Sequence, residues 1–86
     1  MPNQPPAITG RQLIKLLTLD GWDDCGKRTH GIAFRKKDSS GRMRITVVPN
    51  KRGSLPVGTL KDILGPDQSN LGRDGLLRLI ELHGLK

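Results

Sequence analysis

The sequence is poor in aromatic side chains and in cysteine. Among its 86 residues, the only aromatic ones are Trp22 and Phe34. RNA-binding modules that stack bases on a sheet need several exposed rings, so this scarcity argues against them. The single Cys25 has no partner for an internal disulfide, which favours a reducing, cytoplasmic location. We expect its small side chain to fill part of the core.

The chain also lacks the sequence signals of membrane and metal-binding proteins. No apolar run approaches the roughly 20 residues needed to cross a bilayer. The opening segment MPNQPPAITG has no basic stretch followed by an apolar one, so it does not resemble a signal peptide. One cysteine and two histidines do not give the ligand spacing of a zinc site. We therefore expect no membrane association, no metal and no cofactor.

Positive charge is abundant, and one segment holds most of it. The formal net charge is +7. Residues 26–52 contain nine basic residues and a single acidic residue, Asp38. Clustered cations in a small domain bind nucleic acid because they neutralise phosphates and release counterions. The charge distribution therefore predicts a nucleic-acid-binding surface in this segment.

Apolar spacing and turn residues predict an α+β domain. Thr9 and Gln12 have the spacing of a capping box, which marks the start of the first helix. Thr59 is a plausible N-cap for the second helix. The predicted elements are a helix over residues 10–20, strands over 22–25, 30–36 and 44–48, and helices over 60–64 and 73–83, with a basic turn at 26–28.

The short connections between the three strands predict a three-stranded antiparallel sheet. The apolar stripes of the helices need a surface to cover, so we expect the helices on one face of the sheet, with the other face open to solvent. Residues 1–8 are predicted to be a flexible, proline-rich lead, and residues 9–86 a single domain.

His30 is the residue in the basic segment that is best suited to chemistry. An imidazole accepts and releases protons near neutral pH, and neighbouring cations can hold a phosphate. RNA supplies its own nucleophile, the 2′-hydroxyl, so a ribonuclease needs a proton acceptor and phosphate-holding groups. The alternative is that His30 is a polar residue at a strand edge. The second histidine, His83, is expected to complement the dipole at the end of the last helix.

Four sequence segments, in this order and spacing, resemble the HicA family, also called YcfA-like, of mRNA interferases from toxin–antitoxin pairs. They are ITGRQLIKLLTLDGW, GKRTHGIAF, MRITVVP and SLPVGTLKDIL, and the resemblance starts at Ile8. It implies a double-stranded-RNA-binding-like sandwich with the order α-β-β-β-α, here with an additional C-terminal helix. It also implies metal-independent cleavage of mRNA with the strand-two His30 as catalytic residue, and inhibition by a HicB-like antitoxin.

The chain departs from the family pattern around this histidine. Arg28-Thr29 replaces the usual Gly-Ser, and Phe34 lies one residue further from His30 than in the family. On a regular strand, His30 and Phe34 would share the core face, so we expect a β-bulge at Gly31 to turn His30 outward.

The resulting hypothesis is an endoribonuclease with His30 as general base. The residues expected to hold the RNA backbone are Lys27, Arg28, Lys36, Lys51 and Arg52. Two alternatives stay open: a non-catalytic RNA-binding module of the same fold, and a catalytically inactive subunit that binds a partner protein.

Overall fold

A three-stranded sheet with helices on one face makes up residues 6–85, the part of the chain that the computed structural model describes. The strands are antiparallel and lie in the order β1-β2-β3. This confirms the predicted α+β class with a three-stranded antiparallel sheet. The elements are α1 (Gly10–Leu19), β1 (Asp23–Arg28), β2 (Gly31–Lys37), β3 (Met43–Val48), α2 (Val57–Leu64) and α3 (Gly72–His83).

The first helix forms as its local sequence predicts. Thr9 Oγ1 accepts a hydrogen bond from the Gln12 N–H, and Gln12 Oε1 accepts one from the Thr9 N–H, each at 3.0 Å. This capping box satisfies two backbone donors at the helix start. Ile8, which we had assigned to the flexible lead, is buried, and its carbonyl accepts from the Leu55 N–H at 2.8 Å. The packed domain thus begins at Ile8, while residues 1–5 lie outside the described part.

The prediction for the first strand is wrong at its C-terminal end. Residues 26–28 were expected to form a turn, but β1 continues to Arg28, and Thr29 and His30 form the turn. Strand pairing is interrupted by a bulge, because the register steps from Asp24 opposite Phe34 to Lys27 opposite Ile32. Gly26 has φ +94°, so this glycine serves a bulge within the strand.

His30 precedes β2, so its expected place inside the second strand is wrong by one residue. The β-bulge expected at Gly31 is also wrong, because the irregularity lies in β1. Gly31 has a different purpose. Its φ is +153°, and a Cβ atom there would lie only 2.1 Å from the Val48 carbonyl oxygen. The missing side chain lets the start of β2 approach the end of β3.

The core lies between the sheet and the helices. Phe34 and Val48 from the sheet are buried against apolar residues of all three helices. Cys25 does not belong to this core, contrary to expectation; it is half-buried in the bulged part of β1. The predicted N-cap of the second helix is also wrong, because α2 starts two residues before Thr59, with Pro56 at the N-cap position and no side-chain cap hydrogen bond. The Pro56 carbonyl accepts from the Leu60 N–H at 2.9 Å, and the missing N–H of the proline is not needed before the helix.

Candidate functional site

His30 occupies the exposed turn between β1 and β2. Because it lies in a turn, the in-and-out alternation of strand residues does not direct it into the core. It borders a cleft of about 430 Å³ that Thr29, Pro49 and Lys51 also line. We call this depression the His30–Lys51 cleft. It brings the candidate general base and one candidate phosphate-binding residue to the same place.

Backbone contacts with α1 hold Lys51 beside His30. The Arg11 N–H donates to the Lys51 carbonyl at 3.1 Å, and the Lys51 N–H donates to the Pro49 carbonyl at 3.0 Å. A Cβ atom on Gly10 would lie 1.9 Å from the Pro49 carbonyl oxygen, so the helix start rests directly on this loop. The cleft is therefore built by backbone packing, while the Lys51 side chain is exposed to solvent.

Three more of the predicted RNA-binding residues lie at the same end of the sheet. Lys27 and Arg28 are the last residues of β1, directly before the His30 turn, and both are exposed. Arg52 follows Lys51 in the loop and is also exposed. Four of the five predicted cations therefore lie at the end of the sheet that carries His30, and Lys51 lines the cleft with it.

Lys36 does not join this group. It lies near the opposite end of β2, six residues from His30, which corresponds to roughly 20 Å along a strand. Its Nζ donates to Asp20, to the carbonyl oxygen at 2.7 Å and to Oδ2 at 3.1 Å. The same Oδ2 accepts from Trp22 Nε1 at 3.2 Å. Lys36 therefore ties β2 to the end of α1.

Arg44, another cation at that end, is engaged beside the turn between β2 and β3. Asp38 Oδ1 accepts from the Ser40 hydroxyl at 2.6 Å and from the Arg42 N–H at 3.0 Å, and Oδ2 accepts from Arg44 Nε at 3.1 Å. The pKa of Asp38 lies well below its ordinary value, chiefly because the Ser40 hydroxyl donates a hydrogen bond to the carboxylate and, to a smaller extent, because the Arg44 guanidinium does so. Arg44 also donates to the Pro66 carbonyl. The basic segment is thus divided between the two ends of the sheet.

Two cations near the candidate site were missed by the sequence reasoning. Arg11 is exposed in the first turn of α1, and its N–H contacts Lys51. Arg35 is exposed on the face of the sheet away from the helices and, together with Arg28 and His30, lines a groove there. Strand alternation could have placed Arg35 on the open face. The contact of Arg11 depends on tertiary packing and leaves no local signal.

Chemistry other than that of the His30–Lys51 cleft finds little support in the described part of the chain. Residues 6–85 contain no cluster of three or more histidine, cysteine, aspartate or glutamate side chains placed to bind a metal ion. None of the helices there has the length and apolar composition needed to cross a membrane. His83 ends α3, where a basic side chain complements the helix dipole.

Comparisons with protein-family models, with curated proteins and with solved structures found no match to this chain. The site has to be interpreted from its own chemistry. An exposed imidazole at a sheet end that also carries Lys27, Arg28, Lys51 and Arg52 can bind a phosphodiester and exchange a proton with it.

Proposed function

We propose that this protein is an endoribonuclease toxin of the HicA type that binds and cleaves mRNA in the cytoplasm without a metal ion. The observation that carries the proposal is the His30–Lys51 cleft, where one exposed imidazole shares a depression with a lysine. The first five elements follow the order α-β-β-β-α that the family resemblance implies, and α3 is an additional helix. We therefore include the double-stranded-RNA-binding-like sandwich in the proposal.

In the proposed reaction, His30 acts as general base on a ribose 2′-hydroxyl. The imidazole takes the hydroxyl proton while the 2′-oxygen attacks the adjacent phosphorus. The bond from phosphorus to the 5′-oxygen breaks, and that oxygen takes up a proton from solvent or from the imidazolium. The products are a cyclic phosphate and a 5′-hydroxyl end.

The cations have separate parts in this scheme. Lys51, held beside His30 by the start of α1, offsets the negative charge that grows on the phosphate oxygens. Lys27, Arg28 and Arg52 hold neighbouring phosphates. Lys36, which was part of the predicted set, is assigned a structural role because it is bonded to Asp20.

The decisive experiment compares His30→Ala with His83→Ala, since the chain has these two histidines and only one is at the cleft. Cleavage of single-stranded RNA is measured in EDTA, with RNA binding and a thermal melt for each variant. We expect His30→Ala to lower the cleavage rate by about 10²–10⁴-fold, the usual loss for a positioned general base. RNA binding should persist, and an exposed turn residue should change stability by no more than about 0.5 kcal/mol.

Each other outcome has a definite meaning. Loss of cleavage in His83→Ala alone would move the general base to the end of α3. Inhibition of the wild type by EDTA would contradict the metal-independent mechanism. Tight RNA binding without any cleavage by the wild type would favour the alternative, a non-catalytic RNA-binding module of the same fold.

We also propose that a HicB-like antitoxin covers the cleft with an acidic surface. Charge of opposite sign accelerates encounter, so association of such a partner should slow markedly as salt is raised. Stopped-flow association rates with a HicB-like antitoxin at several salt concentrations measure this. Rates that do not change with salt, or a complex that leaves His30 open to solvent, would contradict it.

A further inference from the structure

The open face of the sheet carries a second feature next to His30, a groove with an apolar floor and basic walls. Its volume is about 580 Å³. Cys25, Ala33, Ile45 and Val47 line its floor, and Arg28 and Arg35 stand beside it. Strand register places Ala33 opposite Val47 and Arg35 opposite Ile45, so these side chains share one face. We call this depression the open-face groove.

The floor of this groove is unusual for a solvent-facing surface. Ile45 is 58% exposed, although it lies in the middle of β3, and no helix of the described part covers it. Contiguous exposed apolar surface rimmed by polar groups is one mark of a binding site. Its volume lies within the range typical of small-molecule sites.

The charge around the groove indicates what it binds. Arg28 lies at the His30 end, and Arg35 lies further along the face. Asp23 is opposite Arg35 in the β1–β2 register, so the positive character is greatest beside Arg28, nearest to His30. A ligand with negative charge at one end and a flat, weakly polar body fits this arrangement. A nucleotide has that form: its phosphate can pair with Arg28, its base can stack on the plane of a guanidinium group, and the edge of the base can cover the apolar floor without a need for aromatic rings.

We propose that the open-face groove is a subsite for one unpaired nucleobase, next to the phosphodiester at the His30–Lys51 cleft. This inference rests on the proposed function, because it takes RNA as the substrate, and it adds a requirement on the state of that RNA. A base inside a duplex is stacked on both faces and cannot reach the floor. Cleavage should therefore occur in single-stranded segments and loops, with one base placed on Ile45 and Val47.

The test measures binding to the otherwise complete His30→Ala protein, which removes the proposed base and one side chain at the edge of the groove but keeps the apolar floor and both arginines. The probe is a single-stranded RNA of about eight nucleotides, a length within the usual site size of single-strand-binding surfaces. A series of such RNAs carries one abasic nucleotide at each position in turn, so the number of phosphates stays constant. The expected result is one position at which loss of the base weakens binding roughly 5- to 30-fold, the lower range for a stacked base because the floor is aliphatic.

A matched pair of variants assigns that position to the groove. Ile45→Ala truncates the floor, whereas Met43→Ala truncates an exposed apolar side chain on the same face of β3 outside the groove. In Ile45→Ala the loss of affinity caused by the critical abasic nucleotide should fall to less than half of its value in the protein without this substitution. In Met43→Ala the loss of affinity should stay unchanged. Equal penalties in the two variants would overturn the proposal, as would equal penalties at every abasic position. Loss of a protein partner, but not of RNA, in Ile45→Ala would also overturn it and make the groove a protein-binding surface.

The result is independent of whether the wild type cleaves. Cleavage of the unmodified RNA by the wild type tests the proposed function, whereas the abasic series tests only the groove. A localised abasic penalty without cleavage would support the subsite and refute the ribonuclease. Cleavage of the RNA without a binding penalty at one abasic position would support the ribonuclease and refute the subsite.

Discussion

Substitution of Gly31 by alanine should damage the fold and the candidate site together. A Cβ atom there would lie 2.1 Å from the Val48 carbonyl oxygen and 2.8 Å from the Pro49 nitrogen. Both are backbone atoms, so no side chain can rotate away, and the two strands must separate. Overpacking of this kind costs about 1–3 kcal/mol. The backbone angle of Gly31, φ +153°, adds about 1–3 kcal/mol for an alanine.

The expected loss of unfolding free energy is thus about 2–6 kcal/mol, a large fraction of the roughly 5–15 kcal/mol that stabilises a domain. Two other glycines separate the cost of the steric clash from the cost of the backbone angle. Gly41 also has positive φ, +85°, and Gly53 does not; neither has an atom within 4 Å of an added Cβ. Gly41→Ala should therefore show the backbone cost alone, and Gly53→Ala should be close to neutral.

Urea unfolding followed by tryptophan fluorescence measures these differences. Trp22 is the only tryptophan and is 6% exposed, so its emission reports on loss of the fold. For a domain of this size, each 1 kcal/mol corresponds to about 4–8 °C in Tm. A Gly31→Ala protein as stable as Gly41→Ala would show that the close approach to Val48 is not needed. Full stability with unaltered RNA cleavage would refute the link between this contact and the site.

Two further predictions concern charge. Lys51→Ala should weaken RNA binding and reduce the slope of log affinity against log salt by about 0.7, the value for one phosphate contact on a single strand. Lys36→Ala should leave this slope unchanged because Lys36 is bonded to Asp20. Salt titrations by fluorescence anisotropy measure both slopes, and equal slopes in the two variants would contradict the division of the basic segment between the two ends of the sheet. The pKa of Asp38 is lowered in the folded protein, so folding favours its ionised form. Its contribution to stability is therefore full above the ordinary aspartate pKa of about 4, and it is lost as the pH falls through the lower pKa of the folded state. Urea midpoints of wild type and Asp38→Ala should therefore differ at pH 7 and converge in acid, and a difference that grows below about pH 4 would contradict this.

Local signals in the sequence were sufficient for elements whose stability is decided locally. The capping box at Thr9 involves residues within one helical turn, and both this start and the end of the last helix at residue 83 are found as predicted. The bulge in β1 was not predictable in this way. Gly26 is compatible with a turn and with a bulge, and only the partner strand decides between them.

Local sequence signals predict only part of the candidate site as well. Lys27 and Arg28 adjoin His30 in sequence, so their proximity follows from the chain itself. Lys36 belongs to the same basic segment, yet strand geometry carries it to the far end of β2. Charge density along a sequence therefore overestimates charge density on the surface wherever the segment forms a hairpin. Lys51 reaches the cleft only because α1 holds its loop.

The contact of two glycines with one short backbone segment has a consequence for when the site can exist. Gly10 rests on Pro49, and Gly31 rests on Val48, so the helix start, the His30 turn and the exit of β3 meet at one point without side chains between them. A growing chain that has left the ribosome only as far as β3 already contains His30 and most of the basic residues, but the loop with Lys51 is missing. Because domains fold as units, the cleft is completed only by the full domain. Under the proposed function, a growing chain would therefore not cleave the mRNA that encodes it until synthesis of the domain is nearly finished.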